Sequence, residues 1–144
     1  MSTLIIRFAL VAVTAALVIL ALTNGLFSSS PLVIATQVFA VSLSVWARRS
    51  FPTRAFRVSA TPAADAVIQR GPYRLIRHPM YAAALLFVWA GILSHLSALT
   101  FAVGIILTGV VTMRIVLEER VLRERYPEYS TYVRSTKAVV PYIL

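Results

Sequence analysis

The sequence predicts an all-α fold: an integral membrane helical bundle of about four transmembrane helices, completed by a cytosolic amphipathic C-terminal segment. Three observations carry that prediction. The 144 residues are 59% hydrophobic and only 13% charged, against roughly a quarter charged in a soluble domain. Four apolar stretches stand at 4–23, 31–47, 80–93 and 98–117. Twelve of the fourteen basic residues lie outside those stretches, in two blocks, and only Arg7 and Arg114 fall within them.

Each element has its own signal. Residues 4–23 are apolar but for Arg7, and twenty helical residues at ~1.5 Å each cross a hydrocarbon core of ~30 Å. Arg7 lies near the end of that stretch, where its long side chain can reach the interface. A cleaved signal peptide is the rival reading of a short basic start before an apolar run, but no A-x-A cleavage site follows. The second stretch opens on Pro31, a residue suited to a first helical turn, and closes on Arg48-Arg49. Between 48 and 79, Pro52, Pro62, Pro72 and Pro79 break any long helix. The third and fourth stretches are separated only by "SHLS" at 94–97, which predicts an antiparallel helical hairpin. From Glu118 onward the chain turns amphipathic and charged, and Arg123, Glu124 and Arg125 read as a solvated helical face lying on anionic lipid. The whole chain, 1–144, reads as one domain.

Charge orients the bundle. Segments 24–30 and 94–97 carry no Lys or Arg, whereas 48–79 carries seven arginines and the chain from Arg114 onward six basic residues. The positive-inside rule places both termini and the middle segment in the cytoplasm. The cations behind the net charge of +9 lie beside apolar segments, so anionic lipid headgroups or an anionic ligand are their nearer partners, and no nucleic acid partner is expected. Without cysteine, and with only His78 and His95, the chain offers no disulfide, no thiol nucleophile and no metal cluster. His95 reads as a solvated loop residue, and Trp46 and Trp89 as lipid-facing or packing residues.

Two constellations can carry chemistry. The first is "GPYRLIRHPMY" at 71–81. Gly71-Pro72 reads as a turn, and Pro79 suits the first position of the third helix with His78 at its N-cap. Unpaired amides at a helix start attract a carboxylate or phosphate. Tyr81 follows His78 by three residues, so both rings share a face. An interfacial aromatic belt accounts for the same residues. The second constellation is Arg114, Glu118 and Glu119, where Arg114 and Glu118 are four apart. An i,i+4 ion pair explains them, yet ionisable groups this close to an apolar run tend to face a cavity or a partner. Both constellations fall at the cytoplasmic face. A zwitterionic amino-acid ligand can bridge a helix N-terminus and a carboxylate, and S-adenosylmethionine is such a ligand, with a sulfonium that aromatic faces stabilise. No Gly-rich dinucleotide fingerprint is present.

At these residues the sequence resembles the isoprenylcysteine carboxyl methyltransferases and their bacterial relatives, and the phospholipid methyltransferases share much of the pattern. The likeness spans residues 58–144: "GPYRLIRHPMY", a helical hairpin, R-x-x-x-E-E-x-x-L, "YPEYSTY" and a terminal proline. The resemblance implies a small helical bundle in the bacterial inner membrane that uses S-adenosylmethionine on a lipophilic small-molecule or prenylated acceptor. It implies that Tyr73, His78, Pro79, Met80, Tyr81 and Glu118 hold the cofactor, together with Asp65, Ala66, Val67 and Ile68. Asp65 stands where the family pattern has histidine. Arg114 matches an arginine directed at the acceptor, and Glu119 stands beside the cofactor glutamate.

Methyl transfer to a carboxylate needs no base, and Arg114 can orient it; transfer to an amine needs a base, for which Glu119 and Tyr81 are the candidates. The alternatives are a phospholipid N-methyltransferase, a thiol methyltransferase, or a small transport or assembly protein. A transporter would place a carboxylate within a span, and every acidic residue here lies outside the apolar cores.

Overall fold

The computed structural model describes residues 3–50 and 67–139, with side chains from Val11 onward in the first helix. Among these residues there are five α-helices: α1 (Thr3–Leu22), α2 (Pro31–Arg49), α3 (Pro79–Ser94), α4 (Ala98–Arg125) and α5 (Tyr129–Ser135). A short 3-10 turn (Gly71–Arg74) precedes α3, and one isolated parallel bridge joins Ile76 to Lys137. The chain is all-helical over the described residues, and its helices lie within about two residues of the expected stretches except at the end of α4.

Local chemistry explains the boundaries. Pro31 and Pro79 stand at the first helical positions of α2 and α3, where a missing N–H costs nothing. α4 starts on a capping box: the Ser97 Oγ accepts from the Thr100 amide at 3.1 Å, and the Ser97 amide donates to the Thr100 Oγ1 at 2.9 Å. The apolar run of α4 ends at Leu117, but the helix continues two turns to Arg125. Its "EERVLRER" extension is rich in good helix formers, and Pro127 forces the preceding Tyr126 out of helical conformation. The charged segment expected to lie on the membrane is therefore a straight continuation of α4.

α2 and α4 are long and apolar enough to cross a membrane. The core joins Ala16 and Leu20 of α1, Val88 and Ile92 of α3, and Val103 and Leu107 of α4. Outward faces are apolar too: α2 exposes Leu32, Ile34, Val38, Phe39, Val41 and Val45, a density that a soluble surface rarely carries.

The helices sort the loops to two ends. At one, the connection after α1 tucks against α3, and a Cβ on Gly91 would collide with the Leu26 carbonyl. The buried Gln37 side chain pins the same loop, donating to the Leu26 carbonyl at 2.7 Å. At the other end residues 70–77, which carry three arginines, meet the last turn of α2. Gly71 has φ +59 and sits against Ser50 and Trp46, while the Arg70 Nε donates to the Ser50 carbonyl at 2.8 Å. Over the described residues, the two uncharged loops and the basic segments thus occupy opposite ends.

Candidate functional site

The basic end gathers the start of α3, the charged end of α4, α5 and the backbone of 136–138. At its centre is Glu119. Its Oε1 accepts from the Arg77 Nε at 2.7 Å and lies 3.3 Å from the His78 Nε2; its Oε2 accepts from Arg123 at 3.1 Å. Glu119 lies beyond the apolar run of α4 with its side chain only 12% exposed. Burial alone would raise its carboxyl, but the hydrogen bonds from His78 and Arg77 outweigh burial and hold it at about 2.

A second chain of contacts runs beside the first. Arg114 Nε donates to the Tyr81 hydroxyl at 2.7 Å, and that hydroxyl donates to the Glu118 Oε2 at 3.0 Å. The i,i+4 relation of Arg114 and Glu118 is realised through a tyrosine of the neighbouring helix. The His78 ring stacks on Tyr81, with centroids 5.6 Å apart and planes at 28°. His78 is the N-cap of α3 and makes no side-chain cap hydrogen bond, so the ring is turned to Glu119 and Tyr81 and not to the amides of the first turn.

Arg77 ties this cluster to the C-terminal segment. Its guanidinium also donates to the carbonyls of Val133, at 3.3 Å, and Thr136. Backbone bonds run in parallel: the Arg77 amide to the Lys137 carbonyl at 2.7 Å, the His78 amide to the Ala138 carbonyl at 3.0 Å, and the Lys137 amide to the Leu75 carbonyl at 3.2 Å. Beneath this latch Tyr126, Tyr129 and Tyr132 pack together with Val67, Leu122 and Val133. The Tyr132 hydroxyl donates to the Tyr73 carbonyl at 2.6 Å, and burial pushes that phenol up to about 12. Burial, then neighbouring Tyr132 and Glu118, raise the Tyr73 phenol further.

Of the residues singled out in the sequence, the structure brings His78, Tyr81, Arg114, Glu118 and Glu119 into one hydrogen-bonded and stacked group. Pro79 is fully buried, Met80 is half-buried on the first turn of α3, and Tyr73 is buried within electrostatic reach of Glu118 and Tyr81. Val67 packs on the tyrosines and Ile68 is half-buried; Asp65 and Ala66 lie outside the described residues. His95 is an exposed loop residue, Trp46 is half exposed, and Trp89 donates to Thr108 at 3.0 Å between α3 and α4. Sequence reasoning gave no role to Arg77, Tyr129 or Tyr132. Their signals were present: an arginine directly before the His-Pro pair, and tyrosines at a strict spacing of three from 126 to 132.

No curated protein and no solved structure matches the chain. The family model described as phospholipid methyltransferase matches residues 27–129, a stretch that begins before α2, contains both constellations and ends on the first residue of α5. The chain therefore belongs to the phospholipid methyltransferase family, within the wider phospholipid and isoprenylcysteine methyltransferase group.

Proposed function

We propose that this protein is an integral membrane, S-adenosylmethionine-dependent methyltransferase acting on a lipophilic acceptor, with α1–α4 spanning the bacterial inner membrane and the basic end in the cytoplasm. The observation that carries the reading is the Tyr81 hydroxyl held between Arg114 and Glu118. It sets a cation and an anion side by side at the depth where an apolar helix meets water.

The residues present fit the cofactor. The first turn of α3 has no side-chain cap and suits the carboxylate of an amino acid. Glu118 suits its ammonium, and the stacked His78 and Tyr81 rings suit a sulfonium. When bound, S-adenosylmethionine supplies an electrophilic methyl group on that sulfonium. The chain's own contribution is to orient the acceptor and exclude water.

An ionised carboxylate is the favoured acceptor, as in isoprenylcysteine carboxyl methylation. An amine must lose a proton, and both expected bases are committed elsewhere. Glu119 is bonded to Arg77, His78 and Arg123, and the Tyr81 hydroxyl already donates to Glu118. A carboxylate held at about 2 is a poor proton acceptor near neutral pH. The family's description favours a second reading, the amine of a phospholipid headgroup, with Glu118 as the remaining base.

Purified protein, methyl-labelled cofactor and two acceptors decide between them: a prenylated cysteine analogue with a free carboxylate, and phosphatidylethanolamine. Label released as methanol by alkali marks an ester and supports the carboxylate reading. Alkali-stable label in phosphatidylethanolamine marks N-methylation and supports the second. Binding of cofactor with no transfer to either lipid would overturn both choices of acceptor.

A further inference from the structure

Tyr129 is the most deeply buried large side chain of the basic end, 1% exposed, and its hydroxyl has no hydrogen-bond partner among the described residues. The contrast with its neighbour is direct, because the Tyr132 hydroxyl donates to the Tyr73 carbonyl at 2.6 Å. The two rings touch edge to face, 5.7 Å between centroids, so packing alone would be served by phenylalanine at either position. A buried hydroxyl without a partner is costly and rare in a folded protein. The group also stands where polar chemistry converges: Glu119, Arg77 and Arg123 all act on it through space, yet none of them bonds to it. Burial raises this phenol well above its ordinary range, so it is a neutral O–H able to donate one bond and accept others.

Its position is fixed from both sides. α5 is latched by the Arg77 bonds to Val133 and Thr136, and Val67 closes the tyrosine cluster from the segment before the 3-10 turn. We propose that the Tyr129 hydroxyl is a ligand-binding group of this site, hydrogen-bonding the polar half of the bound methyl donor. This inference rests on the reading of the protein as an S-adenosylmethionine-dependent methyltransferase. It adds α5, which no motif of the sequence placed in the site, as one wall of the donor pocket.

The experiment is Tyr129→Phe in the full-length protein, purified in detergent, with thermal unfolding and calorimetric titration with S-adenosylmethionine. Removing an unpartnered buried hydroxyl leaves the melting temperature of the ligand-free protein unchanged or raises it. The same change weakens donor binding by about three- to tenfold, the worth of one neutral hydrogen bond. That opposite pair of effects is the expected result, and a packing role alone does not produce it. Wild-type affinity in Tyr129→Phe would overturn the proposal while leaving the methyltransferase reading intact. A variant that melts well below wild type, or does not fold, would show that the hydroxyl is already bonded in the resting protein, and overturns it as well. Failure of the wild-type protein itself to bind the donor would remove the parent reading, and this proposal with it. Tyr132→Phe is the control: its hydroxyl is bonded to Tyr73, so its loss lowers the melting temperature of the ligand-free protein.

Discussion

Replacing Arg77 with alanine tests whether one side chain holds the C-terminal segment on the site. The guanidinium bonds Glu119 of α4 and the carbonyls of Val133 and Thr136, and the side chains of the pair are only 10% and 12% exposed. Deleting one partner of a buried ion pair leaves an uncompensated charge and costs about 3–5 kcal/mol. His78 and Arg123 still reach Glu119, which favours the lower half of that range. At about 2–4 °C per kcal/mol for a chain of this size, the melting temperature falls by about 10 °C. Thermal unfolding in matched detergent reads the loss, and hydrogen exchange over residues 129–138 locates it. Arg77→Lys recovers little, because an ammonium has no planar fork to span a carboxylate and two carbonyls at once. In Arg77→Ala combined with Glu119→Gln the two losses are far from additive, since both changes break one contact. An Arg77→Ala protein that melts within about 2 °C of wild type, with unchanged exchange in the tail, would refute the latch.

Three further outcomes follow. Because Arg77 and His78 hold the Glu119 carboxyl at about 2, below its ordinary 4.5, its stabilising contribution is complete above about pH 4.5 and disappears as the pH falls toward 2; in Glu119→Gln, the acid denaturation curve loses that slope. Gly91→Ala drives a Cβ into the Leu26 backbone and lowers stability by about 1–3 kcal/mol, whereas Gly109→Ala on α4 meets nothing within 4 Å and raises it by about 0.5–1 kcal/mol; equal effects at the two positions in thermal unfolding would contradict the packing. Arg114→Ala raises the acceptor's KM with donor affinity nearly unchanged, and Tyr81→Phe disturbs both; loss of donor binding alone in Arg114→Ala would make that arginine a support for Glu118.

The helices were legible because their signals are local. Pro31 and Pro79 mark helix starts by chemistry confined to one turn, and apolar runs announce their own length. The overrun of α4 was not legible in the same way. Its charged end reads as a separate amphipathic segment until Arg77, 42 residues earlier, is seen to bond Glu119. The Arg114–Glu118 spacing pointed to an ion pair, and correctly put both on one face, but no rule along a single helix predicts a tyrosine from the next helix standing between them. Tyr129 and Tyr132 carry a helical spacing that fits core and site equally. Only hydrogen bonding separates them, one hydroxyl bonded to Tyr73 and the other without a partner among the described residues.

The Tyr81 bridge also changes what Arg114 can do. A lone guanidinium at the membrane surface would attract any anion and repel any ammonium, regardless of position. Joined through one hydroxyl to Glu118, it becomes one end of a dipole whose field at longer range is largely cancelled. Discrimination then depends on contact geometry and not on net charge. Arg114 lies within the apolar run of α4 and Glu118 just beyond it, one helical turn on, so on the proposed reading the positive pole is the end that lipid reaches first. On the proposed reading an anionic acceptor arriving from the bilayer meets Arg114, while the ammonium of the donor meets Glu118 on the cytoplasmic side, beside the latch that Arg77 holds. On that same reading the order of charges along α4 sorts the two substrates by the side from which each arrives.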